Sequence, residues 1–300
     1  MNPTIVINKA SGSGEFADQS RQEELLTIFR EQASDAKLIA VEAEDFADAI
    51  DEALAGPCDT LIVGGGDGSI TSTASRVAQA GKTLGVIPLG TFNLEARDLG
   101  ISLDPLEAGR QLATAKPRSI DLLEINGEPC LCTLILGFYP ELSRMRQEYH
   151  GKAWWQKSFR TAYETLVLAT RTPILDLQLE TPLESSTGSI RRRTRMTAIS
   201  PGAYVEEFGL IPHREELASG LIHAYVSSHL SRSELLKASL SYLSGKLFST
   251  DDMEVVTGRE LVINIPDREQ IPAMIDGETL SLKLPLSIKL KPKALSVLPP

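Results

Sequence analysis

The chain is poor in the residues that many kinds of site require. Its 300 residues include three cysteines, Cys58, Cys130 and Cys132, and four histidines. Cys130 and Cys132 stand one residue apart in an apolar segment, which is neither a disulfide framework nor a zinc-binding pattern. No pair of histidines has metal-ligand spacing. The sequence therefore predicts reduced, buried thiols and gives no support to a zinc protein.

Long apolar runs and an excess of positive charge are also absent. No segment approaches the ~20 apolar residues that a transmembrane helix needs, and the first residues lack the basic start of a signal peptide. The formal net charge is −10, which argues against nucleic acid as a partner. We therefore expect a cytoplasmic protein with no transmembrane segment and no bound nucleic acid.

The charge is unevenly distributed along the chain. Residues 42–52 form an acidic block, and Arg191, Arg192, Arg193 and Arg195 form a basic one. Such runs are usually solvated faces. The alternative for the basic block is contact with lipid headgroups.

In the first part of the chain, strand-like and helix-like hydrophobic patterns alternate. We predict four strands and three helices, at residues 4–7, 37–41, 60–63 and 84–87, and at 21–33, 45–54 and after 69. This alternation is typical of an α/β domain with a mainly parallel sheet. Ligands of such sheets bind beyond the carboxyl ends of the strands.

Beyond residue 125 the pattern changes to short strands with period-two alternation. Examples are residues 261–265, 280–284 and 286–290, and residues 131–136 are also strand-like. One helix is predicted over residues 154–170. Period-two alternation favours antiparallel sheets with one buried face, so we predict a C-terminal β-rich domain that begins near Asn126.

The segment with the strongest chemical signal is a glycine loop at residues 64–69. An apolar strand enters it, a helical pattern follows it, and it contains Asp67 and Ser69. Backbone N–H groups at a helix N-terminus attract anions, and glycines permit close approach of a ligand. The spacing matches neither the Walker A loop nor the dinucleotide-binding fingerprint. Asp67 would repel a phosphate unless it holds a metal ion or accepts a proton, and a tight turn without a ligand is the alternative.

Two other loops follow predicted strands of the first domain. Residues 8–14 are rich in glycine and serine and begin at Asn8, so they could wrap a phosphate or form a plain βα loop. In residues 88–93, Thr91 and Asn93 offer hydrogen-bonding side chains. Either side chain could instead cap the next helix.

A fourth candidate segment lies near the C-terminus, where Asp276, Gly277 and Glu278 separate two strand-like runs. Asp-Gly between strands is the usual signal of a tight hairpin. The functional alternative is a pair of carboxylates that act as a general base or as metal ligands.

Together these segments resemble the diacylglycerol kinase catalytic-domain family, which includes bacterial YegS-type lipid kinases and sphingosine kinases and has NAD kinases as distant relatives. The matching segments, in chain order, are G-G-D-G-S at 65–69, P-L-G-T-F-N at 88–93, A-R-D-L-G at 96–100, S-I-D at 119–121 and D-G-E at 276–278.

The resemblance implies a nucleotide-binding α/β domain at residues 1–125, a β-sandwich substrate domain at 126–290, and a tail at 291–300 that returns to the first domain. It also implies ATP-dependent transfer of the γ-phosphate to the hydroxyl of a diacylglycerol-like lipid. Alternatives are a soluble small-molecule kinase of the NAD kinase type and a nucleotide- or lipid-binding regulator without turnover.

The resemblance further implies roles for particular residues. Asp276, supported by Glu278, would take the proton from the acceptor hydroxyl, and Asp67 would take part in catalysis. Asp67 and Asp121 would lie near the Mg²⁺ that accompanies ATP. The residues expected to hold ATP are Asn8, Gly65, Gly66, Asp67, Gly68, Ser69, Thr91 and Asn93.

The implied partner is a lipid, met transiently at the inner face of the membrane during phospholipid biosynthesis. The sequence does not identify the lipid. It does not identify the oligomeric state either, although it is compatible with a homodimer. In one respect the chain departs from its YegS-type relatives. Ala218 and Ser219 stand where those relatives carry aspartates that bind a structural Mg²⁺, which puts that second metal site in doubt.

Overall fold

A computed structural model gives the structure of the chain. It describes residues 1–12, 15–32, 35–90, 93–137, 173–183, 186–205, 213–214, 216–228, 231 and 253–300. The helix predicted at residues 154–170 lies outside the described residues.

The chain divides into two compact units. The first unit contains residues 1–122 and 291–300, and the second contains residues 123–290. Two strands cross this division. They are β5 (Arg118–Ile125) and β16 (Leu286–Val297).

The first unit is built on a parallel sheet with the strand order β2-β1-β3-β4-β16. Its other strands are β1 (Pro3–Asn8), β2 (Lys37–Val41), β3 (Thr60–Gly65) and β4 (Thr83–Pro88). All residues of β3 and β4 are buried, as expected for the central strands of a parallel sheet covered on both faces. At the end of the chain, Ser296 and Val297 pair in parallel with Thr83 and Leu84.

Five helices of the first unit are described: α1 (Gln19–Arg30), α2 (Phe46–Ala55), α3 (Asp67–Gln79), α4 (Leu94–Asp98) and α5 (Pro105–Thr114). The predicted α/β domain is therefore confirmed. Helix α5 was not predicted, although the sequence carries its start signal. The Asp104 side chain accepts a hydrogen bond from the Glu107 N–H at 2.8 Å, and Pro105 is the first helical residue, which is where proline is favoured.

The strand order of the first unit contains a reversal of winding. The chain passes from β1 to β2 on one side and then returns to place β3 on the other side of β1. Such a point opens a crevice at the carboxyl ends of the two strands, where doubly wound proteins bind their ligands. The loops after β1 and β3 border this crevice.

The second unit contains two antiparallel sheets. One sheet has the order β16-β13-β8-β9, and the other has the order β12-β11-β10-β7-β14-β15. Their strands are β7 (Leu134–Gly137), β8 (Leu175–Leu183), β9 (Ser186–Thr194), β10 (Met196–Ser200), β11 (Ile222–Ser227), β12 (Met253–Gly258), β13 (Glu260–Asn264), β14 (Gln270–Ile275) and β15 (Glu278–Lys283), while the short β6 (Glu128–Cys130) pairs with β5.

One hydrophobic core lies between these two sheets. It includes Leu177 and Ile263 from the first sheet and Leu136, Ile199 and Ile271 from the second. The alternation read in the sequence therefore reflects strands with one face in a shared core. This confirms the predicted C-terminal β-sandwich.

The basic block lies on and just after strand β9, where two of its four arginines pair with acidic residues. Arg191 donates two hydrogen bonds to Asp176, and Arg192 donates two to Glu254. These bonds hold the pKa of both carboxyl groups below their usual range. Arg195 is buried. Such exposed pairs add little to stability, and contact of the block with lipid headgroups stays a prediction.

No helix in the described part of the chain combines the length and the apolarity needed to cross a bilayer. The three cysteines, all within the described residues, are buried and form no disulfide.

The buried C-terminal segment leads to a first prediction. Leu298 is 1% exposed, and its N–H donates to the Leu84 carbonyl at 3.0 Å. Leu298→Ala should lower the free energy of unfolding by about 3 kcal/mol, because it removes core contacts and leaves a cavity. Leu103→Ala is the matched control, since Leu103 in the same unit is 40% exposed, and should cost under about 1 kcal/mol. Urea denaturation measures both losses, and equal losses would contradict the buried position of the segment.

Candidate functional site

The candidate site of the first unit lies at the crevice between the ends of β1 and β3. The Asn8 side chain at the end of β1 donates from Nδ2 to Oγ of Ser69 at 3.3 Å. This bond joins the two loops that border the crevice. The structure thus brings together two residues that the sequence analysis assigned to ATP binding.

Helix α3 begins at Asp67, three residues earlier than the predicted start after Ser69. Its first turn therefore contains Asp67, Gly68 and Ser69, and its N-cap is Gly66. The first N–H groups of a helix have no partner within the helix, and a glycine cap has no side chain to bond them. The helix N-terminus beside the crevice is consequently suited to bind an anion such as a phosphate group.

Glycines allow the loops around this helix end to pack closely. A Cβ on Gly65 would lie 2.6 Å from Cβ of Ser69, and a Cβ on Gly90 would lie 2.8 Å from Cα of Gly66. Gly12 has φ +66°, and a Cβ there would lie 2.2 Å from the Leu89 carbonyl oxygen. The glycines that suggested ligand binding are therefore also required for the contact between the loops.

Asp67 connects the loop after β3 to the loop after β4. Its Oδ2 accepts a hydrogen bond from the Asn93 N–H at 3.0 Å, and its Oδ1 accepts one from the Leu94 N–H at 2.6 Å. These are the N-cap and first residues of α4, so Asp67 caps a helix that is distant in sequence. This gives the carboxylate a structural reason to stand in an anion-binding loop.

Asn93 serves the same loop and does not cap α4 with its side chain. Its Oδ1 accepts from the Gly90 N–H at 2.8 Å, and its Nδ2 donates to the Gly90 carbonyl at 3.0 Å. The suggestion that the Asn93 side chain caps the helix is therefore wrong, because Asp67 supplies that cap. Its assignment to ATP binding stays a prediction. Thr91 lies outside the described residues.

Asp121 is buried in strand β5, one residue before the end of the range 1–122 in the first unit. Its Oδ1 accepts a hydrogen bond from the Lys293 N–H at 2.8 Å, and its side chain is 1% exposed. Asp121 thus binds the backbone of β16 at Lys293. Its assignment as a residue near Mg²⁺ stays a prediction.

Asp67 and Asp121 offer the carboxylate oxygens that Mg²⁺ prefers as ligands. Among the described residues, neither Asp67 nor Asp121 belongs to a group of three or more metal-binding side chains with ligand atoms within 4.8 Å of one another. Mg²⁺ commonly takes only one or two carboxylates and completes its shell with water and phosphate oxygens. Each oxygen of Asp67 accepts one described hydrogen bond and has a second lone pair. The residues present therefore fit a Mg²⁺ ion that arrives with a nucleotide.

The second unit carries Asp276 at the tip of a hairpin. Strands β14 and β15 are joined by Asp276 and Gly277, which have φ of 46° and 89°. Two consecutive positive φ angles are typical of the type I′ turn, so the hairpin interpretation of this segment is confirmed. A turn residue is normally exposed, however, and Asp276 is 0% exposed.

Three consecutive backbone N–H groups surround the Asp276 carboxylate. Leu131, Cys132 and Thr133 donate to it at 2.7, 2.8 and 2.9 Å, and the Cys130 thiol lies 3.5 Å from Oδ1. Burial raises the pKa of the Asp276 carboxyl group, while these donors oppose that rise. The result is an immobilised carboxyl group with a greater tendency to hold a proton than an exposed one.

These three N–H donors, the cradle at residues 131–133, show that one predicted strand begins later than expected. The sequence indicated a strand over residues 131–136, but β7 begins at Leu134. Residues 131–133 instead direct their N–H groups towards Asp276. Sequence reasoning missed them because backbone donors have no residue-type signature.

Glu278 opens strand β15, where it pairs with Ile275 and is exposed. Its assignment as a support for Asp276 stays a prediction.

The second Mg²⁺ site implied for YegS-type relatives does not fit the residues present. Ala218 has no ligand atom, and the Ser219 hydroxyl lies 3.4 Å from both the N–H and the carbonyl of Leu221. Nearby, the buried guanidinium of Arg214 donates to the Pro201 carbonyl at 3.1 Å. Neither Ala218 nor Ser219 supplies the carboxylate oxygens with which proteins usually hold Mg²⁺.

Two family models match the chain. The diacylglycerol kinase catalytic domain matches residues 2–125, and the YegS C-terminal NAD kinase beta sandwich-like domain matches residues 188–299.

Curated relatives match part of the chain. A protein of Klebsiella pneumoniae named as a probable YegS-like lipid kinase is 30% identical over 42% of this chain and 43% of its own length. A protein of the same name from Pseudomonas aeruginosa is 42% identical over 30% of each chain. The chain thus matches less than half the length of these relatives.

The fold has a solved counterpart. The crystal structure of a diacylglycerol kinase from Bacillus anthracis superposes with a TM-score of 0.72 at 17% identity, and covers 100% of this chain and 97% of its own. The parallel sheet and the antiparallel sandwich of this chain are thus the fold of that solved diacylglycerol kinase. With both family models matched in chain order, the chain belongs to the YegS-like diacylglycerol kinase family.

The close approach of the two glycine loops leads to a second prediction. Gly90→Ala should destabilise the protein by about 1–3 kcal/mol, because its methyl group would overlap Gly66 and the loops must separate. Gly66→Ala is the matched control. Its Cβ would lie at an ordinary 3.6 Å from Cα of Gly90, so it should cost under about 1 kcal/mol. Urea denaturation compares the two variants, and a smaller loss for Gly90→Ala than for Gly66→Ala would contradict the packing described.

Proposed function

We propose that this protein transfers the γ-phosphate of ATP to the hydroxyl group of a diacylglycerol-like lipid. The observation that carries the proposal is the N-terminus of α3, which has a glycine cap and lies at the winding reversal of the sheet beside Asp67. Membership of the diacylglycerol kinase family supports the reaction class. The names of the relatives support a lipid as the acceptor.

In this proposal the first unit binds ATP. The N–H groups of Gly68 and Ser69 face the phosphates, and glycines at positions 65 and 66 allow the nucleotide to approach the backbone. Asn8 and the loop of Thr91 and Asn93 complete the binding site. Phosphoryl transfer depends mainly on position and on charge neutralisation, so a rigid set of loops is the contribution expected of this unit.

Mg²⁺ bound with ATP would be held by Asp67, with Asp121 as the second candidate, and would supply neutralisation of phosphate charge. The two hydrogen bonds that Asp67 accepts fix where its carboxylate stands. In this proposal Asp67 therefore has two roles, because it holds the loop after β4 in place and also binds the metal ion.

The second unit supplies the proton acceptor. Asp276 would take the proton of the lipid hydroxyl, with Glu278 in support. A general base works best when its pKa lies near the working pH, and burial moves the pKa of Asp276 upward in that direction. The lipid is met at the surface of the inner membrane, where the protein acts as a peripheral enzyme.

The proposal is tested by mass spectrometry of a total lipid extract incubated with ATP and Mg²⁺. The wild-type protein should produce a phosphorylated lipid, and Asp67→Ala and Asp276→Asn should each lower the rate at least about 100-fold. Matched controls are Asp104→Ala, which also removes a helix cap in the first unit, and Asp267→Asn at an exposed turn of the second. Circular dichroism establishes the folded fraction of each variant.

Three outcomes would contradict the proposal. Equal rates for wild type and both site variants would remove the assigned residues from the reaction. Phosphorylation of NAD with no lipid product would replace the proposal with a small-molecule kinase. ATP binding in calorimetry without any product would indicate a regulator.

The raised pKa of Asp276 leads to a pH prediction. Only the ionised carboxylate accepts a proton, so kcat/KM for lipid phosphorylation should increase with pH through a midpoint above 3.8, the ordinary value for aspartate. The KM for ATP, measured at each pH, separates this effect from protonation of the nucleotide. A rate that stays constant down to pH 4 would contradict the role of Asp276.

A further inference from the structure

Thr133 is bound to Asp276 through both of its main-chain groups. Its N–H donates to Oδ1 of Asp276 at 2.9 Å, and its carbonyl accepts from the Asp276 N–H at 2.9 Å. Whatever fixes Thr133 therefore fixes both the side chain and the backbone of Asp276. Asp276 has φ 46°, the left-handed conformation of a type I′ turn, and the two bonds to Thr133 hold its carboxylate against the neighbouring chain segment.

Tyr204 holds the side chain of Thr133. The Tyr204 hydroxyl donates to Oγ1 of Thr133 at 2.8 Å, and the two residues are 7% and 6% exposed. A buried hydrogen bond of this length is well formed.

Tyr204 is itself held by two neighbouring residues, Tyr225 and Arg214. Its backbone N–H donates to the Tyr225 hydroxyl at 2.8 Å, and the two rings stack with centroids 5.1 Å apart. Residue 204 also forms a bridge with Arg214, whose buried guanidinium holds the Pro201 carbonyl. These contacts with Tyr225 and Arg214 therefore fix the Tyr204 hydroxyl in its position next to Thr133.

We infer that Tyr204 is a positioning residue, which sets the location of the Asp276 carboxylate through Thr133. The inference rests on the proposed function, in which Asp276 accepts a proton. A displacement of about 1 Å in a reacting group can cost about 100-fold in rate. Loss of one hydrogen bond at a distance from the reacting atoms should cost less, about tenfold.

The sheet offers a closely matched comparison for this bond. Thr197 on β10 is also buried, at 0% exposure, and its Oγ1 has no hydrogen-bond partner among the described residues. Thr133→Val and Thr197→Val are the same near-isosteric change in the same unit. Only the first removes the acceptor of the Tyr204 hydroxyl, and it leaves the main-chain bonds to Asp276 in place.

The experiment compares four variants: Thr133→Val, Tyr204→Phe, the double variant of both, and Thr197→Val. We expect the first three to lower kcat about tenfold with the KM for ATP unchanged, because an interaction needed only for proton transfer appears in kcat. Thr197→Val should leave kcat within about twofold of the wild type.

The double variant separates positioning from stability. Thr133→Val leaves the Tyr204 hydroxyl buried without this acceptor, whereas replacement of both partners by apolar groups is close to neutral for folding. If the singles act only through instability, the double variant recovers both stability and kcat, and the inference is overturned. If Tyr204 positions Asp276, the double variant recovers stability but keeps the tenfold loss of kcat.

Hydrogen exchange supplies a readout that does not depend on activity. The Asp276 amide, which donates to Thr133, should exchange at least about threefold faster in Thr133→Val and Tyr204→Phe than in Thr197→Val, because its acceptor is less well held. Equal exchange in all variants would overturn the inference even in an active enzyme. Failure of the wild type to phosphorylate any lipid would instead overturn the proposed function, and the exchange rates would still decide whether Tyr204 positions Asp276.

Discussion

The arrangement of this protein depends on aspartate side chains that accept hydrogen bonds from backbone N–H groups far away in sequence. In the first unit, Asp67 receives the N–H groups of Asn93 and Leu94 and so holds the loop after β4 against the glycine loop. In the second unit, Asp276 receives three N–H groups from residues 131–133. Bonds of this kind to an ionised group are about twice as strong as neutral ones. Each also fixes a carboxylate in one place, as an acid-base or metal-binding group requires.

The glycines follow from the same constraint. Asp67 can reach the start of α4 only if the two loops lie in contact, and a side chain at Gly90 would meet Gly66 and Asn93. The close contact leaves the end of α3 beside the crevice between β1 and β3, where a helix N-terminus attracts phosphate. The structural and functional interpretations of the glycine loop are therefore complementary, because the packing that needs the glycines also forms the anion site.

Hydrophobic periodicity predicted the α/β domain and the antiparallel strands, and turn residues predicted the hairpin at Asp276. The sandwich was implied by the family resemblance. The sequence placed the start of α3 after Ser69, because glycine and aspartate are weak helix formers and the contact with α4 that overrides this preference is not visible in one segment. It also missed the cradle at residues 131–133, because backbone N–H donors are common to nearly all residue types and cannot be recognised from the sequence. Hydrogen bonds between distant segments, such as Tyr204 to Thr133, likewise carry no local signal.

The central claim is that the phosphates of ATP bind at the N-terminus of α3. The most direct test is a titration of the isotopically labelled protein with MgATP, followed by the chemical shifts of its backbone amides. The account predicts that the largest saturable changes occur at residues 66–69 and in the loop after β1, with smaller changes elsewhere in the first unit. Binding with changes concentrated away from these residues, or the absence of any saturable change, would contradict it.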